Sequence, residues 1–204
     1  MSDLLRSVTD RPVPGLGRPL AQSERDQIDK YLEILVKWQK THRLVGSIEP
    51  AWLVANVVLD SLCFLEALPI ETRVAADLGS GAGIPGIPIA IVRPDVEISL
   101  IEAQQRRISF LSTVVRELAL ARVRVIGARA EDLGPEREGR FDALVMRCAG
   151  QPETMLRTAL RLVRSGGVVI VGAGPRSKPL GNGERLVVSM VTGASRALHR
   201  YRKP

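Results

Sequence analysis

Residues 75–88 read Ala-Ala-Asp-Leu-Gly-Ser-Gly-Ala-Gly-Ile-Pro-Gly-Ile-Pro. An apolar approach ends in Asp77, glycines follow at positions 79, 81 and 83, and a proline opens the next apolar run. That order predicts a strand, a tight glycine turn and a helix start. Such a turn brings bare backbone N–H groups against a nucleoside ligand. The rest of the chain must then either complete that site or use its ligand.

From residue 72 onward the hydrophobic pattern alternates between the two periods expected of strands and helices. Strands are predicted over 73–78, 96–101, 123–126, 141–146 and 167–171, and helices over 85–92, 105–118 and 153–163. Strands that alternate with helices argue an α/β fold with a parallel sheet covered on both faces. The end departs from this pattern. Residues 186–191 and 197–201 read as strands separated by a turn at Gly193 with no helix between, so an antiparallel pair closes the sheet.

Ahead of the sheet, residues 1–22 hold Pro12, Pro14, Gly15, Gly17 and Pro19 and are expected to form a flexible, unpacked arm. Ser23, with Asp26 three residues on, is the expected helix cap. Ile28, Tyr31, Leu32, Leu35 and Trp38 then recur at helical spacing, and Pro50 fits the first turn of a second helix. The expected organisation is therefore an arm over 1–22 and one domain over 23–204, made of a helical cap (23–70) and a core (71–204).

Two templates overlap on the glycine turn. Gly81-Ala82-Gly83-Ile84-Pro85-Gly86 fits the dinucleotide fingerprint, whereas Asp77, Gly79, Gly81 and Gly83 together fit the loop of nucleoside methyl-donor enzymes. Glu102 ends the second predicted strand, where a carboxylate can accept from both ribose hydroxyls and leaves no room for a 2′-phosphate. The competing reading is a structural glycine turn with Glu102 as a surface acid. Ala130 and Glu131 follow the third strand, where backbone groups could read an adenine edge. Arg147 leaves the fourth strand as a cation in the cleft, suited to a carboxylate or a phosphate. Cys148 could be a covalent nucleophile, but it has no obvious partner base, and a small apolar core cysteine is the commoner case.

Charge and composition narrow the partners. The net charge is +7, and residues 154–204 carry ten Lys or Arg against one acid, Glu184. A basic flank of this kind favours a polyanion such as RNA. Aromatics make up only 3%, which leaves few stacking platforms for single strands. The two cysteines lie far apart and there are only two histidines, so neither a disulfide framework nor a metal cluster is expected. The start lacks a signal-peptide pattern and no run is long enough to span a membrane, so a cytoplasmic protein is expected.

At this point the residues resemble one family. Trp38 with Leu44, then Leu59-Asp60-Ser61, residues 77–88, Arg107 with Phe110-Leu111, Arg129 with Glu131, and Arg147 are similar to the RsmG/GidB family. Its members are bacterial small-subunit ribosomal RNA guanine-N7 methyltransferases that use S-adenosylmethionine. The resemblance runs from about residue 23 to the end, and the Gly-Ala-Gly-Ile-Pro-Gly-Ile-Pro stretch is its most specific part. It implies a Rossmann-like fold with a mostly parallel seven-stranded sheet. It places cofactor contacts on Gly79, Ile84, Ala130, Glu131 and Arg147, beside Asp77, Gly81, Gly83 and Glu102. It also implies small-subunit rRNA as partner, gripped by Arg106, Arg107 and Arg147, with no metal, no membrane and a monomeric enzyme.

The departures fall on the substrate side. Arg43-Leu44-Val45 stands where the family usually has Asn-Leu-Thr, Asn56-Val57 where it has Arg-His, and Ala173-Gly174 where it has Lys-Gly. They motivate two alternatives: a methyltransferase of the same fold acting on another RNA or a small molecule, or a cofactor-binding RNA or ribosome module with little turnover. An NAD oxidoreductase is disfavoured, since no hydride-side acid or base is evident.

Overall fold

The computed structural model describes residues 2–147, 152–174, 176–190 and 192–204. Seven strands form one sheet: β1 (Val74–Leu78), β2 (Glu97–Glu102), β3 (Val123–Gly127), β4 (Phe141–Arg147), β5 (Val163–Ala173), β6 (Glu184–Ser189) and β7 (Ser195–Arg202). Their spatial order is β3-β2-β1-β4-β5-β7-β6. β1 to β5 pair in parallel, and β7 runs antiparallel to both β5 and β6. The order reverses between β1 and β4, the crevice in which open α/β sheets bind ligands.

Alternation along each central strand sorts side chains onto two faces. Ala75, Ile98, Leu100, Ala143, Val145, Val168 and Ile170 belong to one core cluster. Ala76, Leu78, Ile101, Leu144, Met146 and Val169 belong to the other. The second face is covered by the helix at Pro152–Leu162, through Met155, Ala159 and Leu162. The first face carries most of the helical mass: α1 (Ser2–Thr9), α2 (Gln22–Gln39), a rod spanning residues 50–66, and the helices Gly86–Val92 and Gln105–Glu117 that follow β1 and β2. The expected helical cap is therefore a layer of the main core.

The N-terminal residues differ from expectation. They are not a loose arm. Leu5, Val13 and Leu20 are fully or almost fully buried in the same core, and Leu20 N–H donates to Thr9 O at 3.1 Å. The prolines and glycines make a tight return instead. Gly15 (φ 71°) lies so close to the rod that a Cβ would sit 2.3 Å from Glu66 N and 2.4 Å from Leu65 C. Gly15→Ala combines left-handed strain with a backbone clash and is expected to cost about 2–4 kcal/mol. Urea unfolding checks this, and a wild-type midpoint would restore the loose-arm reading.

The cap of α2 also differs. The helix starts at Gln22, so Ser23 and Asp26 do not cap it. Glu24 does, accepting from Ala21 N–H at 2.7 Å while Arg18 donates to both carboxylate oxygens at 2.8 and 2.6 Å. Asp26 lacks that cation, which lets Glu24 fold back while staying nearly buried. Pro50 does begin the rod, behind Glu49, whose carboxylate accepts from Ala51 N–H and Trp52 N–H. The rod is α-helical over Pro50–Leu53, π-helical over Val54–Leu59, α-helical again over Asp60–Leu62, and a 3₁₀ turn over Cys63–Glu66.

Candidate functional site: a cleft at the carboxyl ends of the strands

The turn after β1 is built from underneath. Gly79, Gly81 and Gly83 all take positive φ, which lets the chain reverse in a few residues. Gly79 N–H and Ser80 N–H donate to Ile101 O at the end of β2. On the helix side, Asp77 accepts from Gly86 N–H at 2.9 Å, and Tyr31 of α2 donates to Ala82 O at 2.6 Å. Tyr31 and Asp77 are both completely buried. Burial pushes the Asp77 carboxyl up to about 7, and the negative charge of Glu102 pushes the same way against the bond from Gly86. Asp77 was expected at the cofactor. It lies instead beneath the turn, where it pins the following helix.

Glu102 is likewise a buried anchor. Its carboxylate accepts from Gly81 N–H at 2.9 Å, Ala103 N–H at 2.9 Å and Gln104 N–H at 2.8 Å. Arg107 comes within 3.7 Å of it. A carboxylate offers about four acceptor positions. Three are taken, so acceptance from two ribose hydroxyls requires the Gly81 contact to be exchanged.

Above the turn lies an open cleft of about 390 Å³. Gly79, Ser80, Gly81, Ala82 and Ile84 form one wall, and Leu44, Val45, Gly46 and Trp52 form the other, with Arg107 and Arg147 also lining it. The loop part of the opposing wall, residues 44–46, is held by the Gln39 side chain. Gln39 accepts from Leu44 N–H and Val45 N–H and donates to Val45 O.

Arg147 donates to Asn56 O at 2.7 Å and pairs with Asp60 at 3.1 Å. Arg196 of β7 donates to the other oxygen of Asp60 and, at 3.2 Å, to Asn56 Oδ1. Asn56 thus sits beside a guanidinium at the position where the family pattern carries arginine. Asp60, Asn56 and Arg196 were not singled out as site residues. The signals were Leu59-Asp60-Ser61 within the resemblance, the departure at Asn56, and the basic flank over 154–204 that contains Arg196.

The structure therefore brings Gly79, Gly81, Ile84, Arg107 and Arg147 together around one cleft, with Glu102 directly behind Gly81. Gly83 lies in the turn but does not line the cleft. Arg106 is exposed at the start of the helix after β2. Ala130 and Glu131 lie in a short turn after β3, outside this cleft, with Ala130 buried and Glu131 exposed. Cys148 lies outside the described residues. Cys63 is buried, and burial pushes its thiol up to about 12, which leaves it unreactive. Among the described residues no cluster of three metal-ligating side chains exists, and no helix is long and apolar enough to cross a membrane.

A family model described as rRNA small subunit methyltransferase G (GidB) matches residues 24–185. The chain belongs to this family. Among the proteins called ribosomal RNA small subunit methyltransferase G, it is 34% identical to that of Desulfitobacterium hafniense over 158 residues, covering 75% of this chain and 65% of that protein. It is 36% identical to that of Sorangium cellulosum over 175 residues, covering 84% and 71%. The chain thus spans just under two thirds of the first of these relatives. The fold is also that of solved methyltransferases. The O-methyltransferase TomG from Streptomyces achromogenes aligns at TM-score 0.59 and 17% identity, covering 88% of this chain and 90% of TomG. A SAM-dependent methyltransferase from Aquifex aeolicus aligns at TM-score 0.56 and 14% identity, covering 81% of this chain and 97% of that one.

Proposed function

We propose that the chain transfers the methyl group of S-adenosylmethionine to guanine N7 of small-subunit ribosomal RNA, acting as a monomer. The observation that carries this reading is the cleft itself, with bare glycine backbone on one wall and two guanidiniums beside it, in a member of the GidB family. The donor fits. The cleft volume lies in the range of small-molecule sites. The exposed backbone at Gly79 and Gly81 allows close approach, and Glu102 stands at the end of β2, the ribose side of such sheets. Gly79, Gly81, Ile84 and Arg147 would hold it, with Glu102 fixing the turn and Ala130 and Glu131 flanking the base.

S-adenosylmethionine supplies a methyl group already activated on a sulfonium. Guanine N7 offers an in-plane lone pair and carries no proton, so the protein needs no general base. That agrees with the cleft lining, which among the described residues holds two arginines and no histidine or cysteine. The work left to the chain is positioning and the exclusion of water. Leu44, Val45 and Trp52 give the wall opposite the glycine turn an apolar surface. Arg107 and Arg147 offer charge for the donor carboxylate or an RNA phosphate. Exposed Arg43 and Arg106 directly precede the cleft-lining Leu44 and Arg107 in the chain and are suited to phosphates. Because an A-form helix hides N7 in its deep groove, the target guanine belongs to an open or splayed segment.

Incubation with labelled donor and undermethylated bacterial rRNA, small subunits or a metabolite pool tests the proposal. Label recovered in 7-methylguanosine is the expected result. Label in any other product moves the activity to another acceptor. Donor binding by calorimetry with no transfer to any acceptor would instead favour a binding module.

A further inference from the structure

One turn of the rod over residues 50–66 is wound wider than the rest. In the π-helical segment Val54–Leu59, Asp60 N–H donates to Ala55 O, five residues back. A regular α-helix would direct that N–H to Asn56 O, four residues back. Asn56 O is thereby released, and it accepts from Arg147 at 2.7 Å. The Asp60 side chain follows the same direction. One of its oxygens lies 3.1 Å from Arg147, and the other accepts from Arg196, which also donates to Asn56 Oδ1 at 3.2 Å. Asn56 is itself held, donating to Trp52 O at 3.0 Å. Wide turns of this kind are rare within helices and recur where a side chain must be placed for function.

The charges are graded by depth. The Asp60 side chain is 11% exposed, whereas those of Arg147 and Arg196 are each 29% exposed. One inner carboxylate shared by two outer guanidiniums leaves a surplus positive charge beside the cleft. Two cations also demand a fixed counter-charge if they are to stand side by side.

We propose that Asp60, seated by the π turn, is the positioning residue of the acceptor side. It holds Arg147 beside the cleft as a grip on a phosphate of the RNA strand and fixes Arg196 next to it as a second grip. Asp60 touches none of the glycine wall at Gly79, Gly81 and Ile84; it acts only through Arg147 and Arg196. The proposal rests on the reading of this cleft as a methyl-transfer site.

Asp60→Asn, close in shape and without charge, is compared with Arg147→Gln, Arg196→Gln and wild-type protein on RNA. Asp60→Asn is expected to lower kcat about ten- to hundredfold at saturating donor and RNA, because a loosened guanidinium misplaces the acceptor. Its S-adenosylmethionine affinity should stay within about threefold of wild type, since the glycine wall is untouched and Arg147 keeps its bond to Asn56 O. KM for RNA should hold or fall, because the site gains one net positive charge, and the salt dependence of RNA binding should steepen by up to about one. A structural failure moves these readouts the other way, raising KM and weakening the donor together, and that pattern overturns the proposal. Wild-type kcat in Asp60→Asn overturns it as well. Should Asp60→Asn fail to fold, Asp60→Glu keeps the charge and changes its reach: lowered kcat with an unchanged salt slope supports the role, and wild-type kcat sinks it. Lost turnover in Arg147→Gln with none lost in Asp60→Asn rejects the positioning role alone. Absence of transfer by the wild-type protein to any RNA rejects the underlying reading.

Discussion

Glu102→Ala is expected to weaken S-adenosylmethionine binding by about a hundredfold or more, and to lower the stability of the chain by about 2–4 kcal/mol. The carboxylate is 5% exposed and accepts three backbone N–H groups, one from the glycine turn and two from Ala103 and Gln104, which lead into the following helix. Truncation leaves all three without an acceptor. It also releases Gly81, whose position defines the wall against which the donor lies, and frees Arg107 from the ion pair that holds it over the turn. Glu102→Gln should fall between, because its amide oxygen can still accept but its NH₂ group cannot. Calorimetry with the donor and a thermal melt provide the check. Wild-type affinity in Glu102→Ala would remove Glu102 from the site, and an unchanged melting point would contradict its anchoring role.

Asp77 gives the second large effect, and it is read through pH. The carboxyl is completely buried, and burial lifts it from 3.8 in the unfolded chain to about 7. The folded state therefore holds a proton that the unfolded state has already lost over that window, so stability falls as pH rises from about 4 to about 7 and levels off above. A displacement of that size corresponds to about 4 kcal/mol at most. Asp77→Asn keeps an oxygen for Gly86 N–H and cannot titrate. The difference in unfolding free energy between wild type and Asp77→Asn, followed by urea titration from pH 4.5 to 8, is expected to shift in favour of the variant by several kcal/mol. A difference that stays flat with pH, or one that shifts toward the wild type, would show that Asp77 is ionised in the folded protein across the range.

Much of the sheet was legible because each strand carries its own signal. Apolar runs such as Val145 and Met146 in β4 read as strands whatever surrounds them, and the parallel core followed from the alternation with helices. Boundaries moved where pairing extends a strand past its apolar part. β5 begins at Val163, directly after the Pro152–Leu162 helix, because Val163 pairs with Phe141 of β4, while β7 joins the strand from Val168. The N-terminal residues were misread for the opposite reason. Proline and glycine are turn residues whether a segment is loose or tightly folded back, and only the burial of Leu5, Val13 and Leu20 distinguishes the two.

The site shows the same division. Local chemistry identified the turn, because alternate glycines after an apolar strand permit few other backbones, and the resemblance supplied the family. The sequence also determined that an acid stands at Glu102 and a cation at Arg147. What those charges do was decided by the tertiary structure. Asp77 and Glu102 turn inward to hold backbone N–H groups, because buried donors beside the turn need acceptors more than the open cleft does. The partnership of Asn56, Asp60, Arg147 and Arg196 joins residues up to 140 positions apart. No periodicity or spacing encodes such a contact; it exists because the sheet brings β4 and β7 alongside a helical turn whose wide winding frees a carbonyl to receive them.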